Sequence, residues 1–233
     1  MPRNVTIIIP TYNEKDNIKT LIQELFKTAG ENDINLEVIF VDDNSPDGTA
    51  EEIGENTGKH NIRLIRRSGK MGLATAVIEG FNAASNEVVG VMDADLSHDP
   101  TSFPEVSGPV LNGESWLSIG SRYADGGGIE KWGLRRKIIS GTAKALSRPL
   151  TSIADPMSGF FFTKKTLLEK GKLDPVGYKI LLEIIVKCRP DNIREVPITF
   201  RDRMRGDSKL DLREQVNYLI HLLRLYSFKI GLT

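Results

Sequence analysis

One cysteine, Cys188, and three histidines, His60, His98 and His221, are all that this 233-residue chain offers to disulfide or soft-metal chemistry. A lone cysteine excludes a disulfide framework, and the histidines are too scattered for a zinc site. Charge of one sign is missing as well, because 31 basic and 31 acidic residues cancel. No global field draws the chain to nucleic acid, so any anion site must come from local clustering. Long apolar runs are absent. The opening "MPRNVTIIIPTYNE" holds only Val5 to Ile9 before Pro10, too short for a signal-peptide core. His221, Arg224 and Lys229 interrupt the last stretch that approaches the ~20 apolar residues of a spanning helix. The expectation is a cytoplasmic chain that is not an integral membrane protein. Three sequence signatures are also lacking. No G-x-G-x-x-G follows the first apolar run, "RSGKMGLAT" lacks the first glycine and the Ser or Thr of a P-loop, and no G-x-S-x-G elbow occurs.

What is present is an alternation of strand and helix patterns, and 39% hydrophobic residues suffice to bury a core. "NVTIIIP" reads as strand, Glu14 to Lys27 as helix, "LEVIFVDD" as strand and Gly48 to Asn56 as helix. "IRLIRR", a helix over Gly72 to Ala84 and the strand "EVVGVMDAD" follow, then a helix from Pro100 to Leu111 and the strand "WLSIGSR". Such alternation predicts an α/β fold with a mostly parallel central sheet covered by helices. After Arg122 come a Gly-rich, basic loop, "YADGGGIEKWGLRRK", a helical stretch to Ser147 and a β-like "GFFFTKK". The last element, Asp211 to Ile230, puts Leu212, Val216, Leu219, Leu223, Tyr226 and Ile230 at helical spacing, with Arg213, Asn217, His221 and Arg224 opposite. A C-terminal amphipathic helix is therefore expected.

The strands end in polar residues. "PTYNE" follows the first, "VDDNSPDGT" the second and "DAD" the fourth, so Thr11, Glu14, Asp42, Asp43, Asp93 and Asp95 are expected on one rim of the sheet. The carboxyl ends of parallel strands are where open α/β sheets bind ligands. Two aspartates separated by one residue can hold Mg²⁺ or Mn²⁺ and leave coordination positions for phosphate oxygens. Each motif alone also has a structural explanation, as "DDNSPDG" is a good turn and helix cap.

In their order, "IIIPTYNEKDNI", "VDDNSPDGT", "RSGKMGLATAV", "DADLSHDP", "GSRYADGGG" and "DPMSGFF" resemble the inverting, metal-dependent family 2 glycosyltransferases of the GT-A fold, in particular the dolichol-phosphate mannose synthases. The resemblance spans residues 4–210, which it implies to be a catalytic domain at 1–210, with 211–233 as an interfacial or membrane-proximal element. It implies a nucleotide-sugar donor, GDP-mannose, and a polyprenyl phosphate acceptor, with the chain peripheral at a membrane surface or on a membrane-protein partner. Glucose or an N-acetylhexosamine in place of mannose, or a non-catalytic partner that keeps the fold, remain alternatives.

The same resemblance assigns residues. Pro10, Tyr12 and Glu14 make the first nucleotide contact, Asp42 partners the base, and Lys70 and Gly72 approach from the loop after the third strand. Asp95 is the direct metal ligand. Asp93 lies nearer the ribose or a metal-bound water, and Ser97 stands where many relatives carry Gln, which leaves the third ligand open. Simpler roles exist for each: Glu14 as a helix cap, Asp42 as an acceptor for backbone amides, Lys70 as a solvated loop charge. In the second half, Arg122, Arg135, Arg136, Arg201, Arg203, Arg205 and Lys209 are expected to face the acidic rim, where guanidinium forks match phosphate oxygens. Relatives that glycosylate hydroxyl groups carry an Asp base in an "ED" motif, whereas this chain reads "DPMSGFFF". An acceptor phosphate, with a second pKa of ~6, is already an anion and needs no strong base. Asp155 is the residue left as a base or acceptor-orienting group, and Asp95, Arg122, Asp155 and Arg201 form the expected catalytic set.

Overall fold

The computed structural model describes residues 3–130, 134–174, 176–177, 179–201 and 212–231, with the backbone alone for 134–138 and 212–214. From the N-terminus the elements are β1 (Arg3–Thr11), α1 (Lys15–Glu31), β2 (Ile34–Asp42), α2 (Thr49–Gly54), β3 (Ile62–Arg66), α3 (Leu73–Ala83) and β4 (Val88–Val91). A 3₁₀ turn (Pro100–Ser102) leads into α4 (Phe103–Leu111), β5 (Leu117–Ser121), β6 (Gly128–Ile129) and α5 (Leu134–Ser147). The chain continues through β7 (Phe161–Lys164), α6 (Lys165–Leu168), α7 (Ile180–Glu183), a π-helical turn (Ile184–Cys188), β8 (Ile193–Pro197), β9 (Thr199–Phe200) and α8 (Leu212–Lys229).

Seven strands form one sheet in the order β3-β2-β1-β4-β7-β5-β8. β3, β2, β1 and β4 are parallel to one another, as alternating strands and helices require, and β5 is parallel to β8. β7 is antiparallel to both its neighbours and lies between β4 and β5, although "WLSIGSR" follows "EVVGVMDAD" directly in sequence. Its insertion needs room, which Gly90 provides: it sits opposite Phe162, and a Cβ there would lie 2.3 Å from the phenyl ring.

Strand alternation sends side chains to two helical layers. Val5, Ile7 and Ile9 of β1 meet Ile18, Leu21, Ile22 and Leu25, which recur at helical spacing on α1, while Ile8 faces Ala74, Val77 and Phe81 of α3. Each such fully buried aliphatic side chain contributes about 1.5–3 kcal/mol. Burial on both faces leaves the strand ends as the sheet's polar surface.

The C-terminal helix forms, but the face it buries is not the one expected. Tyr218, Leu222 and Leu225 pack with Leu150, Met157, Leu182 and Val186, and His221 is buried beside them. Val216, Leu219, Ile220, Leu223 and Ile230 point outward, Leu223 with 67% of its surface exposed. His221 does not belong to a solvated polar stripe because Glu183, itself wholly buried, supplies a carboxylate oxygen 3.2 Å from Nε2. The other oxygen of Glu183 takes Lys187 Nζ at 2.6 Å and the amide of Asp174 at 2.7 Å. Burial raises the Glu183 carboxyl, but the bonds from His221 and Lys187 outweigh it and hold the group below its usual range. Nearby, burial pushes the Cys188 thiol up to about 11, so it is an inert core side chain.

Candidate active site

At the end of β2 two adjacent aspartates point different ways, as strand geometry requires. Asp42, only 1% exposed, accepts from Thr11 Oγ1 at 2.9 Å, from the Ser45 amide at 2.9 Å and from Ser45 Oγ at 2.6 Å. Three of the roughly four acceptor positions of a carboxylate are thus filled by protein donors. Asp42 ties β1 to the turn after β2, and at most one lone pair faces a ligand. Asp43 is paired with the buried Arg67, whose Nη1 lies 2.5 Å from Oδ1, and accepts the Gly72 amide at 2.8 Å. Arg67 also donates to the Gly72 carbonyl at 3.2 Å and to Thr75 Oγ1 at 2.8 Å. This pair fastens the loop after β3 to the rim. "IRLIRR" has the pattern of a strand, which does not by itself mark Arg67; the signal is the consecutive Arg66 and Arg67, of which alternation turns one inward.

The fastened loop carries Lys70, whose Nζ stands 4.2 Å from the ring centroid of Tyr12, so the two residues assigned to the nucleotide meet. Pro10 is the last residue but one of β1, opposite Val41 of β2. Glu14 starts α1 without capping it through its side chain, and instead its Oε2 accepts from Asn17 at 2.9 Å.

Past β4 the chain turns through Asp93, Ala94, Asp95, Leu96 and Ser97. Leu96 takes a left-handed φ of 59°, as the tight turn demands, and the Ser97 amide donates to Asp95 Oδ1 at 3.0 Å. Asp95 is 4% exposed, whereas the Asp93 side chain keeps 31% of its surface open. Ser97 is fully buried and its Oγ has no hydrogen-bond partner among the described residues. Gly159, at the approach to β7, comes so close that a Cβ there would lie 2.7 Å from an Asp93 oxygen. No local pattern in the sequence marks this glycine, since only the insertion of β7 brings it to β4.

Across the rim, Arg122 follows β5 and grips Asp155 with Nε at 2.8 Å and Nη2 at 2.7 Å, while its amide donates to the same carboxylate at 3.0 Å. Both side chains are nearly buried. Burial raises the Asp155 carboxyl, but Arg122's hydrogen bonds and charge outweigh it and hold the carboxyl below its usual range. Burial lowers the Arg122 guanidinium, and Asp155, with a smaller contribution from Asp93, raises it above its ordinary value. Asp155 is placed by Glu195 of β8, which accepts the amides of Ala154 at 2.9 Å and Asp155 at 3.0 Å and the Ser121 hydroxyl at 2.8 Å. As a proton acceptor Asp155 is therefore poorly suited, because a carboxylate held in a buried fork is a weak base. Arg201 differs from Arg122. Its amide donates to the Ser97 carbonyl at 3.0 Å, but its guanidinium is 58% exposed and 3.5 Å from Asp99. Lys209, Arg203 and Arg205 lie outside the described residues, as do the side chains of Arg135 and Arg136. The described residues thus place carboxylates at the ends of β2 and β4 and an arginine-bound carboxylate beyond β5, a surface able to take a cation and phosphate together.

Residues 6–172 match the family model described as glycosyl transferase family 2. Among curated proteins, the chain is 42% identical over 229 residues to a dolichol-phosphate mannosyltransferase of Pyrococcus furiosus, covering 97% of this chain and 64% of that protein. It is 40% identical over 237 residues to the dolichol-phosphate mannosyltransferase of Saccharomyces cerevisiae, covering 97% of this chain and 88% of the relative. The chain therefore spans slightly less than two thirds of the Pyrococcus protein and most of the yeast one. Among solved structures, glucosyl-3-phosphoglycerate synthase from Mycobacterium tuberculosis, in complex with Mn²⁺, UDP-glucose and phosphoglyceric acid, superposes with a TM-score of 0.71 at 19% identity, over 98% of this chain and 80% of that one. Shared fold, family match and near full-length relatives agree: the chain belongs to glycosyl transferase family 2.

Proposed function

We propose that this chain transfers a mannosyl group from GDP-mannose to a polyprenyl phosphate, dolichyl phosphate being the acceptor type, with inversion at the anomeric carbon. In that reaction an acceptor phosphate oxygen forms the bond to C1 as the bond from C1 to the donor diphosphate breaks and GDP departs. The names of relatives 38–42% identical over 97% of the chain support the sugar and the lipid. The observation that carries the reading is the Arg122–Asp155 fork. It leaves Asp155, the carboxylate in the position of a base, occupied and weakly basic, and an acceptor that is already an anion needs no base.

The residues fit a divalent cation, Mg²⁺ or Mn²⁺. Asp93, Asp95 and Ser97 offer hard oxygen donors, and the buried Ser97 Oγ, without a hydrogen-bond partner among the described residues, is the kind of orphan that a ligand satisfies. No group of three His, Cys, Asp or Glu side chains suited to a metal occurs among the described residues. When bound, such a cation supplies Lewis-acid stabilisation of the departing diphosphate. Tyr12, Lys70, Glu14 and Asp42 would line the nucleoside end, with Pro10 and Gly72 shaping it. Arg122 holds Asp155 and orients the acceptor side, and the exposed Arg201, together with Lys209, would meet phosphate charge.

A polyprenyl phosphate lies in a bilayer, so the site has to work at a membrane surface. No helix among the described residues is long and apolar enough to cross a membrane. The outward face of α8, with Val216, Leu219, Ile220 and Leu223 beside the exposed Arg224, supports peripheral attachment. Residues 1–210 would then be the catalytic part and 211–233 its membrane-proximal element. The decisive assay supplies labelled GDP-mannose, Mn²⁺ or Mg²⁺ and a short polyprenyl phosphate, and follows label into lipid. Mannolipid formation is expected. Transfer from UDP-glucose but not GDP-mannose, or to hydroxyl acceptors alone, would overturn the proposal.

A further inference from the structure

His98 has no part in the assignments above, and its surroundings are unlike those of an ordinary core residue. It is 1% exposed, and neither ring nitrogen has a hydrogen-bond partner among the described residues that satisfies both distance and angle. A buried imidazole without satisfied nitrogens is costly and calls for a reason. Nε2 points to the rim, 3.4 Å from Asp93 Oδ2. The ring is clamped by two aromatics from different parts of the fold: Phe160, at a centroid distance of 5.3 Å, and Phe200 of β9, edge-on at 5.0 Å. On the same carboxylate, the missing side chain of Gly159 leaves the space that Asp93 fills. Phe200 in turn lies 5.4 Å from the Arg122 guanidinium, and the Arg201 amide that follows it is bonded to the Ser97 carbonyl.

We propose that His98 is a positioning residue: its Nε2–H, held by the Phe160 and Phe200 clamp, fixes the rotamer of Asp93 so that the carboxylate meets the cation and donor nucleotide in one orientation. The proposal rests on the metal-dependent reading of the rim. A rotamer held by packing and a neighbouring donor needs no reordering when ligand arrives, and such outer contacts commonly change metal affinity by about 10–100-fold. Contacts of this kind are often long before ligand binds and close afterwards, which accommodates the 3.4 Å separation. The clamp also connects the two halves of the site, because Phe200 touches both His98 and Arg122.

The test is GDP binding by calorimetry, with and without Mn²⁺, on the full chain carrying His98→Phe or His98→Gln. Phenylalanine keeps a ring in the clamp and removes the donor, whereas the glutamine amide restores a donor at similar reach. For His98→Phe the expected result is GDP affinity without Mn²⁺ within about 2-fold of wild type, while the tightening caused by Mn²⁺ falls by about 10-fold. His98→Gln is expected to recover most of it. Full Mn²⁺ tightening in His98→Phe overturns the proposal, as does equal loss in both variants together with weakened metal-free binding, the mark of a merely structural role. Should His98→Phe not fold, His98→Gln decides alone: retained tightening supports the assignment, and its loss in a folded protein sinks it. A wild-type protein whose GDP affinity ignores Mn²⁺ would instead overturn the metal reading on which the proposal rests.

Discussion

Asp95 and Asp155 are both buried carboxylates, and their neighbours give them opposite uses. Asp95 accepts the Ser97 amide within its own turn, and the Ser97 hydroxyl beside it has no hydrogen-bond partner among the described residues, so two oxygen donors of the kind a hard cation takes stand together. Asp155 is saturated by Arg122. Replacing Asp95 by Asn removes the charge a hard cation needs. Transfer by Asp95→Asn should fall at least 100-fold at saturating Mn²⁺, with melting temperature nearly unchanged, while Lys19→Ala on the exposed side of α1 transfers normally. Wild-type turnover in Asp95→Asn would remove it from the metal site. The pH behaviour follows from the second pair. Because the folded pKa of Asp155 lies below its ordinary value, the pair's stability is present above that ordinary value and is lost only as pH falls through the folded pKa. An acid limb of activity near pH ~6 is then the acceptor phosphate's second ionisation. Substituting a phosphonate acceptor should shift the limb by the difference in acceptor pKa; a limb that stays put would assign it to the protein.

At the level of elements, the antiparallel β7 is the decision on which the site depends. It threads between β4 and β5, brings Gly159 to Asp93, and presents Phe160 to His98. Gly90 allows it, since any side chain there meets the Phe162 ring. Gly90→Ala should cost about 1–3 kcal/mol in urea unfolding as an overpacked core, whereas Gly30→Ala near the end of α1, where nothing lies within 4 Å, should be neutral or slightly stabilising. Equal stability of the two variants would contradict the tight β4–β7 contact. The helical layer has its own dependence, on Glu183. Removing its charge strands Lys187 and His221, so Glu183→Gln should destabilise by about 3 kcal/mol or more. Its folded pKa is depressed, so the wild-type advantage is full above the usual carboxylate value and shrinks as pH falls through the folded one, which unfolding curves from neutral to acid pH would record.

For the whole molecule, α8 has two faces with different tasks. Tyr218, Leu222 and Leu225 close a core with Leu150 and Leu182, and Tyr218 and Tyr226 donate hydroxyl hydrogen bonds to the Ala143 and Leu146 carbonyls at the end of α5. Removing the helix would therefore open that core. Substituting only the outer face isolates the membrane question: Leu219→Glu with Leu223→Glu should lower sedimentation with anionic liposomes and transfer to long-chain acceptors, yet leave GDP binding and melting unchanged. Liposome binding equal to wild type would rule that face out as the contact.

Alternating strand and helix patterns, the acidic residues closing the first, second and fourth strands, and six ordered motifs were legible in the sequence because each depends on residues close together along the chain. Helical period likewise announced α8. Its orientation was not legible, since the hydrophobic pattern marks two possible apolar faces and only the partner at Glu183, 38 residues before His221, selects one. The same limit hid the Asp43–Arg67 pair, the seat of Asp155 on Glu195 and the approach of Gly159 to Asp93. These contacts exist only once strands from distant segments lie side by side, and the free energy that chooses among them is burial shared by the whole sheet.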